Sequence, residues 1–193
     1  MNSNSKPIER HPLEPFTPNG AKLLMLGSFP PPHERWSMEF FYPNWINDMW
    51  RIMGLIFFGN KHHFEIPNTK AFDPVRIAKF CNTQHIALYD AATMVRRAKD
   101  NASDKFLEVV EQTNIAYLLG QLPLCTTIVT TGQKATEIVA EQFGATIPGV
   151  GEYTYIYYKH RTLRLFRMPS SSRAYPLSID KKAEQYRKVF INL

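Results

Sequence analysis

Cysteine is scarce in this sequence: Cys81 and Cys125 are the only two, and they lie far apart. They form no CxxC pair and have no paired histidines nearby, so the chain encodes neither a disulfide framework nor a zinc or iron–sulfur site. The adjacent His62 and His63 point in different directions in a helix or a strand, and we expect them at the surface. The sequence therefore predicts two buried thiols, no metal and no cofactor.

Long apolar segments are missing as well. No run of about 18 apolar residues could span a membrane, and the opening stretch MNSNSKPIERHPLEPF lacks the apolar block of a signal peptide. We expect a soluble, cytoplasmic, monomeric protein. Its 193 residues, 44% of them hydrophobic, are enough for one full core and short for two.

The common local signatures of catalysis are absent too. The chain has no G-x-S-x-G elbow, no P-loop, no H-E-x-x-H pair and no dinucleotide-binding glycine pattern. No histidine can be assigned by spacing as the base of a serine nucleophile. The enzyme classes that can be identified from one of these short motifs are therefore excluded.

Positive charge is plentiful by contrast. Lys and Arg number 23 against 17 Asp and Glu, which gives a formal net charge of +6. Basic residues are concentrated in the last part of the chain, at Lys159, His160, Arg161, Arg164, Arg167, Arg173, Lys181, Lys182, Arg187 and Lys188. This distribution favours a polyanionic partner such as nucleic acid.

The hydrophobic pattern alternates strands with helices. Residues 1–20 are polar and interrupted by prolines, so we expect an extended lead-in there and a single domain over residues 21–193. Apolar and β-branched runs predict strands at 22–27, 85–90 and 125–132 and a hairpin over 153–168. This order predicts an α/β three-layer sandwich, with a mainly parallel central sheet flanked by helices.

Helical spacing and capping residues predict six helices between these strands. They are 47–58 opened by Asn47, 73–82 opened by Asp73 and Pro74, 104–112 capped by Ser103, a stretch that starts at Asn114, 133–143, and a last helix capped by Ser178.

Two loops that follow predicted strands have an unusual composition. LGSFPPP (26–32) places three prolines soon after a glycine and a serine, and MPSSSR (168–173) combines three hydroxyls with an arginine. Parallel strands bring the loops at their carboxyl ends to one rim of the sheet, where open α/β sheets bind ligands. The serine-rich loop suits a phosphate; the alternative is a turn that only caps the last helix.

Aromatic side chains are concentrated between these loops, in MEFFYPNWINDMW (38–50). Phe40, Phe41, Tyr42 and Trp45 offer ring faces on which a flat base could stack. We expect at least two of the four to pack into the core instead.

LMLGSFP, then NDMWRI about twenty residues later, and RMPSSSRAY before the last helix resemble the uracil-DNA glycosylase superfamily. The resemblance is nearest to its mismatch-specific thymine/uracil and hypoxanthine-DNA glycosylase branches, and it runs from about Ala21 to the end of the chain. It implies a four-stranded, mainly parallel sheet between helices. It also implies that a deaminated or mismatched base (uracil, hypoxanthine or mispaired thymine) is flipped out of DNA and its N-glycosidic bond hydrolysed.

The resemblance further implies roles for particular residues. Members usually carry Asn or Asp two positions after the first-motif glycine to position the hydrolytic water, and this chain has Phe29 there. The hypoxanthine-type branch takes its asparagine from the segment leading into the next helix, so the first catalytic candidate is Asn47. The other candidates are Asn44, Asp48 and Asp90.

The base pocket that follows from the resemblance comprises Gly27, Ser28, Phe29, Pro30, Phe41 and Tyr42. The DNA-binding residues that follow from it are Pro169, Ser170, Ser171, Ser172 and Arg173. Arg173 is the expected wedge, a side chain that fills the gap left by a flipped base.

Two other functions stay open. A phenyl ring at position 29 can neither orient water nor accept its proton, so the chain is alternatively a nucleic-acid-binding module that keeps the fold without hydrolysis. A hydrolase of small nucleosides or bases is the third hypothesis, and it leaves the basic charge unexplained. Release of a base from lesion-containing oligonucleotides would distinguish the glycosylase from the binding module.

Overall fold

The computed structural model of the protein describes residues 6–97 and 107–191. Its strands are β1 (Glu9–Arg10), β2 (Leu23–Gly27), β3 (Ile86–Asp90), β4 (Ala92–Arg97), β5 (Leu107–Gln112), β6 (Thr127–Thr131), β7 (Glu152–Tyr158) and β8 (Arg161–Met168). Its helices are α1 (Met49–Phe58), α2 (Pro74–Thr83), α3 (Ile115–Gln121), α4 (Gln133–Gln142) and α5 (Ile179–Phe190).

The central sheet has five strands in the order β3-β2-β6-β8-β7. The first four are parallel, and β7 joins as an antiparallel edge strand through the predicted hairpin. The predicted α/β fold with a mainly parallel central sheet is confirmed, but the sheet has five strands where four were expected, because β7 pairs with the edge of the four parallel strands. From β2 the chain goes to β3 on one side and later to β6 on the other, so a crevice opens beyond the carboxyl ends of β2 and β6.

The most strongly apolar segments of the sequence lie in the core. Leu23 to Leu26 of β2 are at most 1% exposed, as expected of a strand covered on both faces. Helix α1 packs against α5, and Trp50 of α1 donates its Nε1 hydrogen to the Phe41 carbonyl at 2.9 Å. This bond fixes the aromatic segment before α1 to the helix.

Three predicted helix starts are confirmed by their side chains. The side-chain oxygens of Asp73, Asn114 and Ser178 each accept a hydrogen bond from the backbone amide three residues later. Helix α1 differs from its prediction, because it begins at Met49 with Asp48 at the cap position. Asn47 lies one residue earlier, and its side chain accepts from the Met49 amide at 2.9 Å in an Asx-type turn.

A second, antiparallel sheet has the order β1-β4-β5. The helix predicted for 104–112 is wrong over residues 107–112, which form β5; Ser103 lies outside the described residues. Leu107 and Val109 alternate onto a small apolar cluster with Val95. Pairing with β4 and the β-branched valines therefore outweigh the helical spacing.

None of the helices in the described ranges is long and apolar enough to cross a lipid bilayer.

Candidate active site

A cleft of about 620 Å³ opens at the carboxyl end of the central sheet. Its walls come from the proline loop (residues 27–32), the segment 42–47 before α1, and the serine loop (residues 168–176), while Asp90 and Thr131 enter it from the ends of β3 and β6. The structure thus brings together the two loops of unusual composition.

Many of the predicted site residues line this cleft: Gly27, Ser28, Phe29, Tyr42, Asn44, Asn47, Asp90, Ser170, Ser171 and Ser172.

The Asp90 carboxylate is held through one oxygen, and the other oxygen lies against Gly27. Oδ2 lies 2.9 Å from Nε2 of His11. Oδ1 lies so close to Gly27 that a Cβ atom at that position would overlap it. Gly27 is therefore needed to make room for the carboxylate.

His11 is the residue that sequence reasoning missed. Its side chain is 2% exposed, and its Nδ1 lies 2.9 Å from the Leu13 carbonyl oxygen and 3.1 Å from the Leu13 amide nitrogen. Nε2–H donates to Asp90, because a carboxylate only accepts. The imidazole also packs edge-on against Phe29, with ring centroids 5.4 Å apart. No local pattern could indicate this role, because Asp90 is 79 positions away.

Phe29 faces the cleft and also anchors the proline loop. Its ring packs on the apolar cluster of β4 and β5, and the Arg97 guanidinium lies 5.5 Å from the ring centroid. Arg97 also donates to the Pro30 carbonyl. Because a phenyl ring offers no hydrogen-bonding atom, another residue must hold any water in the cleft.

Tyr42 lies opposite the end of β6. Its backbone adopts the left-handed conformation with φ of 52°, which is strained for a side chain of this size and is often found at functional sites. Its hydroxyl lies 3.3 Å from Oγ1 of Thr131. Burial, and then the charge of Asp90, raise the pKa of Tyr42, so it stays a neutral phenol.

Asn44 and Asn47 are fixed by the backbone around them. The Asn44 side chain accepts from the Ile46 amide at 3.1 Å, as Asn47 does from Met49. An amide oxygen has a second lone pair, and the amide nitrogen has two hydrogens. Either side chain can therefore also hold a water or a polar atom of a ligand.

The serine loop is tied down through its carbonyl groups. Tyr186 donates its hydroxyl hydrogen to the Pro169 carbonyl at 2.8 Å, and Lys182 donates to the Ser172 carbonyl at 2.8 Å. The Asp48 amide donates to the Ser171 carbonyl at 2.9 Å. Helix α5 and the start of α1 thus hold the loop in a fixed conformation beside the cleft.

Asp48 lies behind the serine loop and does not line the cleft. Its carboxylate contacts three cations: Arg173 at 3.0 Å, Arg51 at 3.6 Å and Lys182 at 3.6 Å. Burial lowers the pKa of Arg51 and of Lys182. This ion cluster supports the serine loop from the side away from the cleft.

Four further predicted residues lie outside the cleft lining. Phe41 is 3% exposed and packs against Tyr89 in the core. Pro30 and Pro169 are buried, and the carbonyl of each accepts a hydrogen bond. The Arg173 side chain, 46% exposed, turns toward Asp48.

The two cysteines and the adjacent histidines make contacts that are typical of structural residues. Both cysteines are buried as predicted, and burial raises the pKa of Cys125 to about 11. His62 pairs with Glu65 at 2.8 Å, and His63 stacks on Phe58. Over residues 6–97 and 107–191, no three His, Cys, Asp or Glu side chains are grouped so as to hold a metal ion.

Comparison with known proteins gives a likeness to a solved structure. No protein-family model matches the sequence, and no curated protein matches it. The solution NMR structure of a "putative Uracil DNA glycosylase" from Methanosarcina acetivorans matches with a TM-score of 0.64 and 20% identity, over 96% of this chain and 98% of that chain. At this identity the match shows that the two proteins share a fold.

Proposed function

We propose that the protein is a monofunctional DNA N-glycosylase of the uracil-DNA glycosylase superfamily, acting on a deaminated or mismatched base flipped into the cleft. The observation that carries the proposal is the grouping of Asp90, Asn47 and the serine loop around one cleft at the carboxyl ends of parallel strands. The shared fold with a protein described as a uracil DNA glycosylase supports it, and so does the net charge of +6.

Asp90 recognises the base in this proposal. A carboxylate only accepts hydrogen bonds, so it favours a base edge that presents an N–H group. Deamination creates such a group: N3 of cytosine and N1 of adenine are acceptors, whereas N3 of uracil and N1 of hypoxanthine carry a hydrogen. The parent bases also present N–H groups, on their exocyclic amino nitrogens. The distinction therefore requires that the carboxylate held by His11 face the ring nitrogen, where the parent base has a lone pair. Thymine also carries the N3 hydrogen, so a mispaired thymine fits the same contact.

Asn47 positions the hydrolytic water, with Asn44 as the second candidate. The water oxygen bonds to C1′ of the sugar while the C1′–N bond breaks, and the electron pair of that bond leaves with the base. Water gives up one proton and the base takes one up, so the products are a free base and an abasic sugar. The amide performs the task that Phe29 cannot.

The serine loop contacts the DNA backbone, and Arg173 fills the gap left by the flipped base. To do so, Arg173 leaves Asp48, which keeps Arg51 and Lys182 as partners. Its departure therefore leaves no buried charge unpaired. Ile46, which is 50% exposed at the rim of the cleft, is the second candidate, since apolar side chains also serve as wedges.

The test is a panel of duplex oligonucleotides that carry uracil, hypoxanthine or a G·T mispair, with abasic products detected as alkali-labile sites. We expect release of at least one of these bases, and we expect Asp90→Asn to lower it, with the exposed Asp180→Asn on α5 as the matched control. If no base is released while duplex DNA still binds with a steep salt dependence, the protein is a binding module without hydrolysis.

A further inference from the structure

Three tyrosines stand exposed in a row on the edge of the central sheet. Tyr153, Tyr155 and Tyr157 of β7 are 45%, 53% and 72% exposed. They are two residues apart, so all three project from the same face of the strand. None of them lines the cleft. We call this row the tyrosine ladder.

The spacing of the ladder suits unpaired bases. Residues two apart in a strand are about 6.7 Å from each other, roughly twice the 3.4 Å rise of bases stacked in a duplex. One base per tyrosine is therefore possible only where neighbouring bases have separated, as a single strand allows. The Tyr153 and Tyr155 rings already meet edge to face, with centroids 5.5 Å apart.

The charge around the ladder suits a polyanion. Arg164 lies on the tyrosine-bearing face of the hairpin, and the turn at its end holds Lys159 and His160. Glu152, the one acidic residue of the hairpin, lies on the opposite face with Arg161 and Arg167. The cross-strand partners of the three tyrosines are Phe166, Arg164 and Thr162, so a cation faces the middle tyrosine and no carboxylate shares the row.

We propose that the tyrosine ladder is a second nucleic-acid site, which stacks the unpaired bases of a single strand while the basic hairpin attracts its phosphates. Aromatic rings combined with cations are the usual means of binding single strands without sequence preference. The alternative occupant of an exposed edge strand is a second copy of this chain, which would add its own strand to β7. The excess of positive charge on the hairpin, with Lys159, Arg161, Arg164 and Arg167 against Glu152 alone, favours the nucleic acid, because two copies would bring like charges together.

The experiment uses the full chain and measures fluorescence anisotropy of an end-labelled oligodeoxycytidylate, whose ring nitrogen N3 carries no hydrogen for Asp90 to accept. In the test variant all three tyrosines are changed to Thr, which keeps the β propensity of the strand. In the conservative variant they are changed to Phe, which keeps the rings. Tyr117→Thr, a 66% exposed tyrosine on α3, is the matched control, and thermal unfolding verifies that every variant is folded.

We expect the triple Thr variant to bind about tenfold or more weakly, and the triple Phe variant and Tyr117→Thr to bind like the unaltered protein. Equal binding by all variants would overturn the proposal. So would sedimentation showing that the unaltered protein self-associates and the triple Thr variant does not, without any change in oligonucleotide affinity. Because the readout is binding to a lesion-free strand, it is independent of whether the cleft excises a base.

Discussion

Nε2 of His11 lies 2.9 Å from Oδ2 of Asp90, and the two side chains are 2% and 11% exposed. The contact joins the N-terminal segment to the end of β3 and orients the one carboxylate among the described residues that line the cleft. The segment that looks like a mere lead-in in the sequence therefore supplies a positioning residue for the proposed reaction.

His11→Ala should lower both stability and excision. A hydrogen bond to a charged group contributes about 1.5–3 kcal/mol, and we expect the free energy of unfolding to fall by about that amount in urea titrations. Single-turnover excision should slow as well, because Asp90 loses its fixed orientation. If stability falls while the excision rate and the preference among bases stay unchanged, His11 has a purely structural role.

Asn47→Ala should slow excision by about a hundredfold or more, the usual cost of removing one positioned polar group from a reaction centre. Substrate affinity should stay close to that of the unaltered protein, and loss of the bond to the Met49 amide should cost about 1 kcal/mol of stability. Asn44→Ala, which removes a similar turn bond, is the matched comparison. A larger rate loss in Asn44→Ala would assign the water to Asn44.

Arg173→Ala should weaken binding to lesion-containing duplex more than binding to single strands, because only a duplex has a gap to fill. Fluorescence of 2-aminopurine placed beside the lesion reports the flipped state directly. Ile46→Ala in the same measurements tests the second wedge candidate. Equal losses on duplex and single strands for Arg173→Ala would argue for a simple phosphate contact.

Lys182→Met should change how stability depends on pH. Burial lowers the pKa of Lys182 from its ordinary 10.5, so between the lowered value and 10.5 the unfolded chain binds more protons than the folded chain. The free energy of unfolding therefore rises with pH over this window, and Met cannot contribute such a rise. Denaturant unfolding should be measured at several pH values. As the pH approaches 10.5, the free energy of unfolding of the unaltered protein should rise relative to that of the variant. Lys188→Met, at an exposed position of α5, should show no such trend.

Secondary structure was most predictable where burial and local pattern agree. The run LLML has no polar residue because β2 is covered on both faces, and Asp73, Asn114 and Ser178 cap helices by contacts three residues away. The helix prediction for residues 107–112 was wrong because of a partner strand: β5 is a strand because β4 pairs with it. Helical spacing within six residues cannot show the presence of that partner.

The sequence by itself determined the α/β order, the rigidity of the proline loop and the placing of both unusual loops at strand ends, since these depend on backbone propensity and on residues a few positions apart. Only the tertiary structure decided that His11 orients Asp90, that Gly27 makes room for that carboxylate, and that Arg173 and Asp48 pair behind the serine loop. These contacts join residues far apart in the chain. Their existence depends on how the strands and loops pack, and short-range pattern carries no information about that packing.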